Sequence, residues 1–134
     1  MPGETNLAAL LAELKPMLAD EEHGFATIPM GAGWPQGLVP VATFAEAEGA
    51  SVIALVSIME GIGLDHEGGW AKITIGANSA LSAVGLTAKI ASALAETGIS
   101  ANIVAAYHHD HVFVPWARRD EAMAVLENLS KAQE

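Results

Sequence analysis

The sequence predicts an α+β protein, on three observations. Six apolar segments have strand length, and three further stretches carry the spacing of an amphipathic helix. The composition, 51 % hydrophobic and 16 % charged with mean hydropathy +0.34, supplies a core. A chain of 134 residues and 13.8 kDa is one domain, or two half-sized lobes sharing one core. At that size a folded chain buries roughly 68–70 % of its unfolded surface, and the apolar composition excludes global disorder.

Each element follows from its pattern. From Thr5, a candidate N-cap, apolar residues fall at Leu7, Leu10, Leu11, Leu14, Met17 and Leu18, the i, i+3, i+4, i+7 pattern of a helix that Pro16 kinks or ends. Phe25–Met30 and Val39–Phe44 read as strands, separated by the loop Gly31-Ala32-Gly33-Trp34-Pro35-Gln36-Gly37. Ser51–Ser57 is continuously apolar and is expected to be buried on both faces. A helical turn is expected before Gly61. Trp70–Ile75 alternates, with Ala71, Ile73 and Ile75 on one face. Val84–Glu96 is a helix closed by Gly98. Ile99–Tyr107 and Val112–Trp116 form a hairpin around His108–Asp110. Arg118–Leu129 is the last helix, with Asp120 and Glu121 in its first turn favouring the dipole.

The second half therefore runs strand, helix, strand, strand, helix. That is the ferredoxin-like βαββαβ pattern without its final strand. The sequence predicts two lobes, residues 1–67 and 68–134, sharing or exchanging strands, with Ser51–Ser57 as the candidate that completes the second sheet.

Charge and composition narrow the function. Glu60 interrupts the longest apolar run, Ala50 to Met59, well short of the ~20 residues a span needs, so no membrane partner is expected. The start, Met1-Pro2-Gly3-Glu4, has no basic region, and a cytoplasmic location is the expectation. With no cysteine there is neither disulfide nor thiolate chemistry. The net charge is −10, and Lys15 is the only Lys or Arg before residue 68. Such a surface repels phosphate backbones, so nucleic acid is not an expected partner.

The segment Ile75-Gly76, then Val84-Gly85-Leu86-Thr87-Ala88-Lys89 through Ala93-Leu94-Ala95-Glu96-Thr97-Gly98-Ile99-Ser100, resembles the ACT domains of aspartate kinases. Ser79-Ala80-Leu81-Ser82-Ala83-Val84-Gly85-Leu86-Thr87-Ala88 and His109-Asp110-His111-Val112-Phe113-Val114-Pro115, with Glu46-Ala47-Glu48-Gly49 upstream, are similar to a family of small, uncharacterised bacterial ACT-domain proteins. The chain departs from that pattern at Asn78, Ala106 and His108, where a histidine, a glycine and an aromatic are usual. The resemblance covers essentially the whole chain. It implies a regulatory fold that binds a small molecule, usually an amino acid, at an interface between two ACT units, by internal pairing or in a homodimer. It implies no catalytic residue and no cofactor.

The resemblance and the local pattern place ligand-binding residues at Asn78, Ser79, Ala80, Leu81, Val84, Gly85, Leu86 and Thr87, with Glu48, Asn102, His109 and Asp110 as further candidates. A helix that starts directly after a strand offers free N–H groups and a positive dipole end to a carboxylate; the same Gly, Ser and Asn also serve as ordinary turn and cap residues. Glu48 or Asp110 could hold an ammonium group. His108-His109-Asp110-His111 admits two other readings, a divalent metal site or an acid–base pair, hence an enzyme centred on His109, Asp110 and His111. A hairpin turn also requires such a polar string, and a dimerisation module without ligand is the third reading. No metal is expected, because Tyr107 and Val112 add no ligand. Trp34, Trp70 and Trp116 read as core or interface aromatics.

Overall fold

The computed structural model describes residues 3–132. They form two compact units, one of residues 3–19 with 71–132 and one of residues 20–70.

In the first unit the chain opens with helix α1 (Leu7–Ala12), whose N-cap is Asn6: its side-chain oxygen accepts from the Ala9 amide at 3.0 Å. The helix is shorter than the apolar stripe suggests. Lys15 turns the chain at φ +46, and Pro16, which has no N–H for a helix, opens strand β1 (Pro16–Leu18). From Ala71 on, the rest of strand β5 (Glu67–Ile75), helix α3 (Leu86–Glu96), strands β6 (Asn102–Ala105) and β7 (Asp110–Pro115), a 3₁₀ turn over Trp116–Arg118 and helix α4 (Arg119–Lys131) complete the unit. Its strand order is β1-β5-β7-β6.

That order is the ferredoxin-like one, with β5, β6 and β7 as its first three strands and β1 as the fourth. The closing strand thus comes from the amino-terminal segment. Pro16, Met17 and Leu18 pair antiparallel with Ile75, Thr74 and Ile73. Ser51–Ser57 does not fill the gap. It lies in β4 (Gly49–Leu55), which pairs with β2 (His23–Pro29) along its whole length and with β3 (Ala42–Glu46). Only Ala47 and Glu48 separate β3 from β4, so the local hairpin closes at far less entropic cost than a distant pairing.

The 20–70 unit contains β2, β3, β4, helix α2 (Val56–Gly61) and the first four residues of β5, in the order β3-β4-β2-β5. This is again the ferredoxin-like order, but residues 30–41 stand where the first helix belongs. Gly31, Gly33, Pro35, Gly37 and Pro40 explain why no helix forms there. The boundary expected between residues 67 and 68 falls inside β5.

Each unit has its own core. Ala71, Ile73 and Ile75, the predicted inward face, are fully buried with Leu10, Leu11, Leu14, Ile90, Leu94, Val112, Val114 and Leu126. Ile28, Leu38, Val52, Ala54 and Met59 form the core of the other unit. The continuous burial of Val52, Ile53 and Ala54 is what the apolar run predicts. Helix α3 ends as expected, with Gly98 at φ +72 and the Ile99 amide donating to the Leu94 carbonyl at 3.0 Å.

Because Leu14 is fully buried and its carbonyl accepts from the Ala77 amide at 3.2 Å, Leu14→Ala is expected to cost about 2–5 kcal/mol. Urea unfolding measures it; a loss near that of an exposed leucine such as Leu81 would contradict the closing role of the amino-terminal segment.

Candidate functional site

Three segments of the first unit build the site. Gly76 follows β5 at a close crossing, where its amide donates to the Lys15 carbonyl at 3.0 Å and a Cβ would stand 2.9 Å from the Lys15 Cβ. Residues 78–80 are then pinned from outside: the Glu4 amide donates to the Asn78 carbonyl at 2.9 Å, and the Ala80 amide donates to the Glu4 carbonyl at 3.0 Å. The Ala83 amide closes a turn on the Ala80 carbonyl, and Gly85, at φ +99, is the N-cap of α3. The third segment is the β6–β7 hairpin, where Ala105 pairs with Asp110 and the Ala106 amide donates to the His109 carbonyl at 3.1 Å.

Two cavities lie among these segments. A small one of about 50 Å³ is bordered by Ser79, Ala80, Leu81, Ala83, Leu86, Thr87, Ala105, Ala106 and Asp110. A larger one of about 280 Å³ shares Ala80 and Leu81 and adds Gly3, Asn78, Ser82, Tyr107 and His108. Leu86 and Thr87 belong to the first turn of α3, whose leading N–H groups have no partner within the helix.

Asp110 is the charged group of the small cavity. It is only 7 % exposed, and burial holds its carboxyl above the ordinary 3.8, with His111 and His109 pulling the other way. His111 points elsewhere: its Nδ1 lies 3.0 Å from the Thr74 hydroxyl, and burial, then Lys72 and His109, hold it below its ordinary 6.5 against the pull of Asp110. The buried Nδ1 of His109 has no hydrogen-bond partner among the described residues. No group of three or more His, Asp or Glu side chains among those residues is placed to hold a metal ion, so His109, Asp110 and His111 do not converge as the metal reading requires.

The expected ligand-binding residues divide accordingly. Asn78, Ser79, Ala80, Leu81, Leu86, Thr87 and Asp110 border the cavities. Val84 borders neither and is 82 % exposed. Gly85 borders neither cavity; its backbone is left-handed, and an added Cβ would stand 3.1 Å from Leu7 Cδ2. Asn102 sits at the far end of β6, roughly 10 Å along the strand from the hairpin turn. His109 closes the turn through its backbone, and Glu48 lies exposed in the β3–β4 turn of the 20–70 unit. Trp70 and Trp116 have packing partners, Phe25 at 5.5 Å and the Arg119 guanidinium at 3.9 Å, but Trp34 is half exposed rather than in a core. Sequence reasoning missed Gly3, Tyr107 and the small Ala83, Ala105 and Ala106. Gly3 carries the clearest mark, since only a glycine fits against Ser79 and Ala80 there, yet that contact is tertiary.

A two-lobed ferredoxin-like fold with a loop-and-hairpin pocket at one sheet end defines a class of regulatory, small-molecule-binding domains. The comparisons agree: ACT-domain families match residues 2–68 and residues 65–128. The chain belongs to the ACT-domain family. It is 35 % identical to a Vibrio cholerae protein of unknown function described as a possible transport protein, with TM-score 0.81, covering 92 % of this chain and 95 % of that one. It also shares the fold of an Agrobacterium tumefaciens protein (18 % identity, TM-score 0.72, coverage 86 % and 87 %) and of the regulatory subunit of aspartate kinase from Thermus thermophilus (15 %, 0.58, 85 % and 95 %). No curated protein matches it. No helix among the described residues is long and apolar enough to cross a membrane.

The two titrating groups give opposite pH slopes. Between 3.8 and its raised value, folded Asp110 keeps a proton that the unfolded chain releases, so its contribution falls as pH rises. His111 contributes fully above 6.5, and its contribution is lost as pH falls through its lowered value. Asp110→Asn is therefore expected to raise stability near neutral pH, the gain fading toward pH 3.8, and His111→Gln to reduce the loss on acidification below pH 6.5. Urea melts across pH check both; a destabilised Asp110→Asn at neutral pH would contradict the burial argument.

Proposed function

We propose that this protein is a non-catalytic regulator that binds a free amino acid in the two cavities of the first unit. One observation carries the reading: Asp110, a residue only 7 % exposed, and the first turn of α3 border the same small cavity. A zwitterion meets both needs. Its carboxylate accepts from the leading N–H groups of α3 and sits at the positive dipole end. Its ammonium neutralises Asp110, removing the cost of burying an unpaired charge. The side chain extends into the larger cavity, where Asn78, Ser82, Tyr107 and His108 supply polar contacts. Occupancy is read out through pairing of ACT units, either within the chain or with a second copy, in the cytoplasm.

A thermal-shift screen of the twenty amino acids tests this. The cognate ligand at a hundredfold excess over Kd is expected to stabilise by about 2.7 kcal/mol. Asp110→Asn should abolish the shift while remaining folded, and the deaminated acid of the same side chain should give none. Absence of a shift from every amino acid, or an undiminished shift in Asp110→Asn, would overturn the proposal.

A further inference from the structure

The 20–70 unit has a cavity of its own, about 260 Å³, where the end of β2 and the start of residues 30–41 face the β3–β4 hairpin. Ile28, Pro29, Met30, Trp34 and Ala50 make most of its wall apolar, and Glu46 is the one ionisable residue in it. We propose that this cavity is a second ligand site, for a small organic cation with an apolar body.

Three features select that chemistry. Glu46 ends β3 with one carboxylate oxygen, Oε1, fixed by the Ser51 hydroxyl, while Oε2 accepts no hydrogen bond among the described residues. Covering it with a neutral apolar molecule would strip water from a charge and return nothing, whereas a cation restores the pairing. Trp34 is 50 % exposed and stacks on no ring or guanidinium among the described residues, so an indole face is open to a cation. The third feature is the field. Residues 20–70 contain eight acidic side chains and no Lys or Arg, so an anion is repelled and the carboxylate of a zwitterion finds no side-chain cation in this unit.

The wall is built rather than slack. The Met30 amide donates to the Glu48 carbonyl at 3.2 Å, the Ala32 amide to the Pro29 carbonyl at 3.0 Å and the Leu38 amide to the Pro35 carbonyl at 3.2 Å. This segment stands where a helix would, and it leaves Met30 and Trp34 exposed in the cavity wall. An aliphatic or aromatic monoamine meets all of these terms.

Isoamylammonium, phenethylammonium, isoamyl alcohol and isovalerate are the probes, titrated into the full chain while the Trp34 indole N–H is followed by NMR, assigned with Trp34→Phe. The ammonium probes are expected to move that signal saturably, and Glu46→Gln should weaken them about tenfold or more. The alcohol and the acid should bind at least about tenfold more weakly than the amines. Asp110→Asn should leave amine binding unchanged, which separates this site from the amino-acid site. Glu46 is exposed, so Glu46→Gln is expected to unfold at the same urea concentration as the parent. No saturable shift, equal binding of alcohol and amine, or undiminished binding by Glu46→Gln overturns the proposal. So does a Trp34 signal that moves with protein concentration, which would put a second copy in the cavity.

Discussion

Backbone pairing between residues 16–18 and 73–75 is the constraint on which the first unit depends. Without it this edge of β5 is open. With it, Leu10, Leu11 and Leu14 are brought under the same sheet as Ile73 and Ile75. The Gly76 and Ala77 amides continue the ladder onto Lys15 and Leu14, and the parallel bridge between Glu4 and Ser79 extends it to the site loop. The loop beside Asp110 therefore takes its shape from the opening residues of the chain. Partners so distant in sequence carry a large loop-closure cost, which the packed core offsets.

The two units answer one topological plan with different materials. Where the first places the eleven-residue helix α3, the second places a Gly- and Pro-rich segment. A helix start brings a dipole and free N–H groups, and the buried Asp110 opposes them across a small space. The segment brings an indole, thioether and aliphatic groups, with Glu46 as the only charge. Equivalent ends of two similar sheets thus present bipolar chemistry in one case and a single negative charge on an apolar wall in the other.

Much of this was legible in the sequence. Periodicity located α3 and α4 within two residues of their observed ends, the alternation at Ala71, Ile73 and Ile75 named a core face, and the apolar run at Val52–Ala54 marked a buried strand. Local chemistry decides such elements. Strand β1 was hidden because Met17 and Leu18 extend the helical spacing of the preceding leucines, and three residues are too few to show a period of two. The pairing of β4 was misread because an apolar strand does not say which edge it joins. At the site, the loop and Asp110 were readable as turn chemistry and a lone acid, while Val84, Asn102 and Glu48 depended on where side chains end up after packing. The helix-replacing role of residues 30–41 needed the strand order, which no local pattern contains.

The Ala19 amide donates to the Lys72 carbonyl at 2.9 Å, so the chain leaves the first unit and re-enters it at adjoining points. A polypeptide grafted between two touching positions imposes no span on its host, because the host already holds both ends of the graft together. Residues 20–70 can therefore lengthen, shorten or change their surface chemistry in descent while the host pocket keeps its geometry.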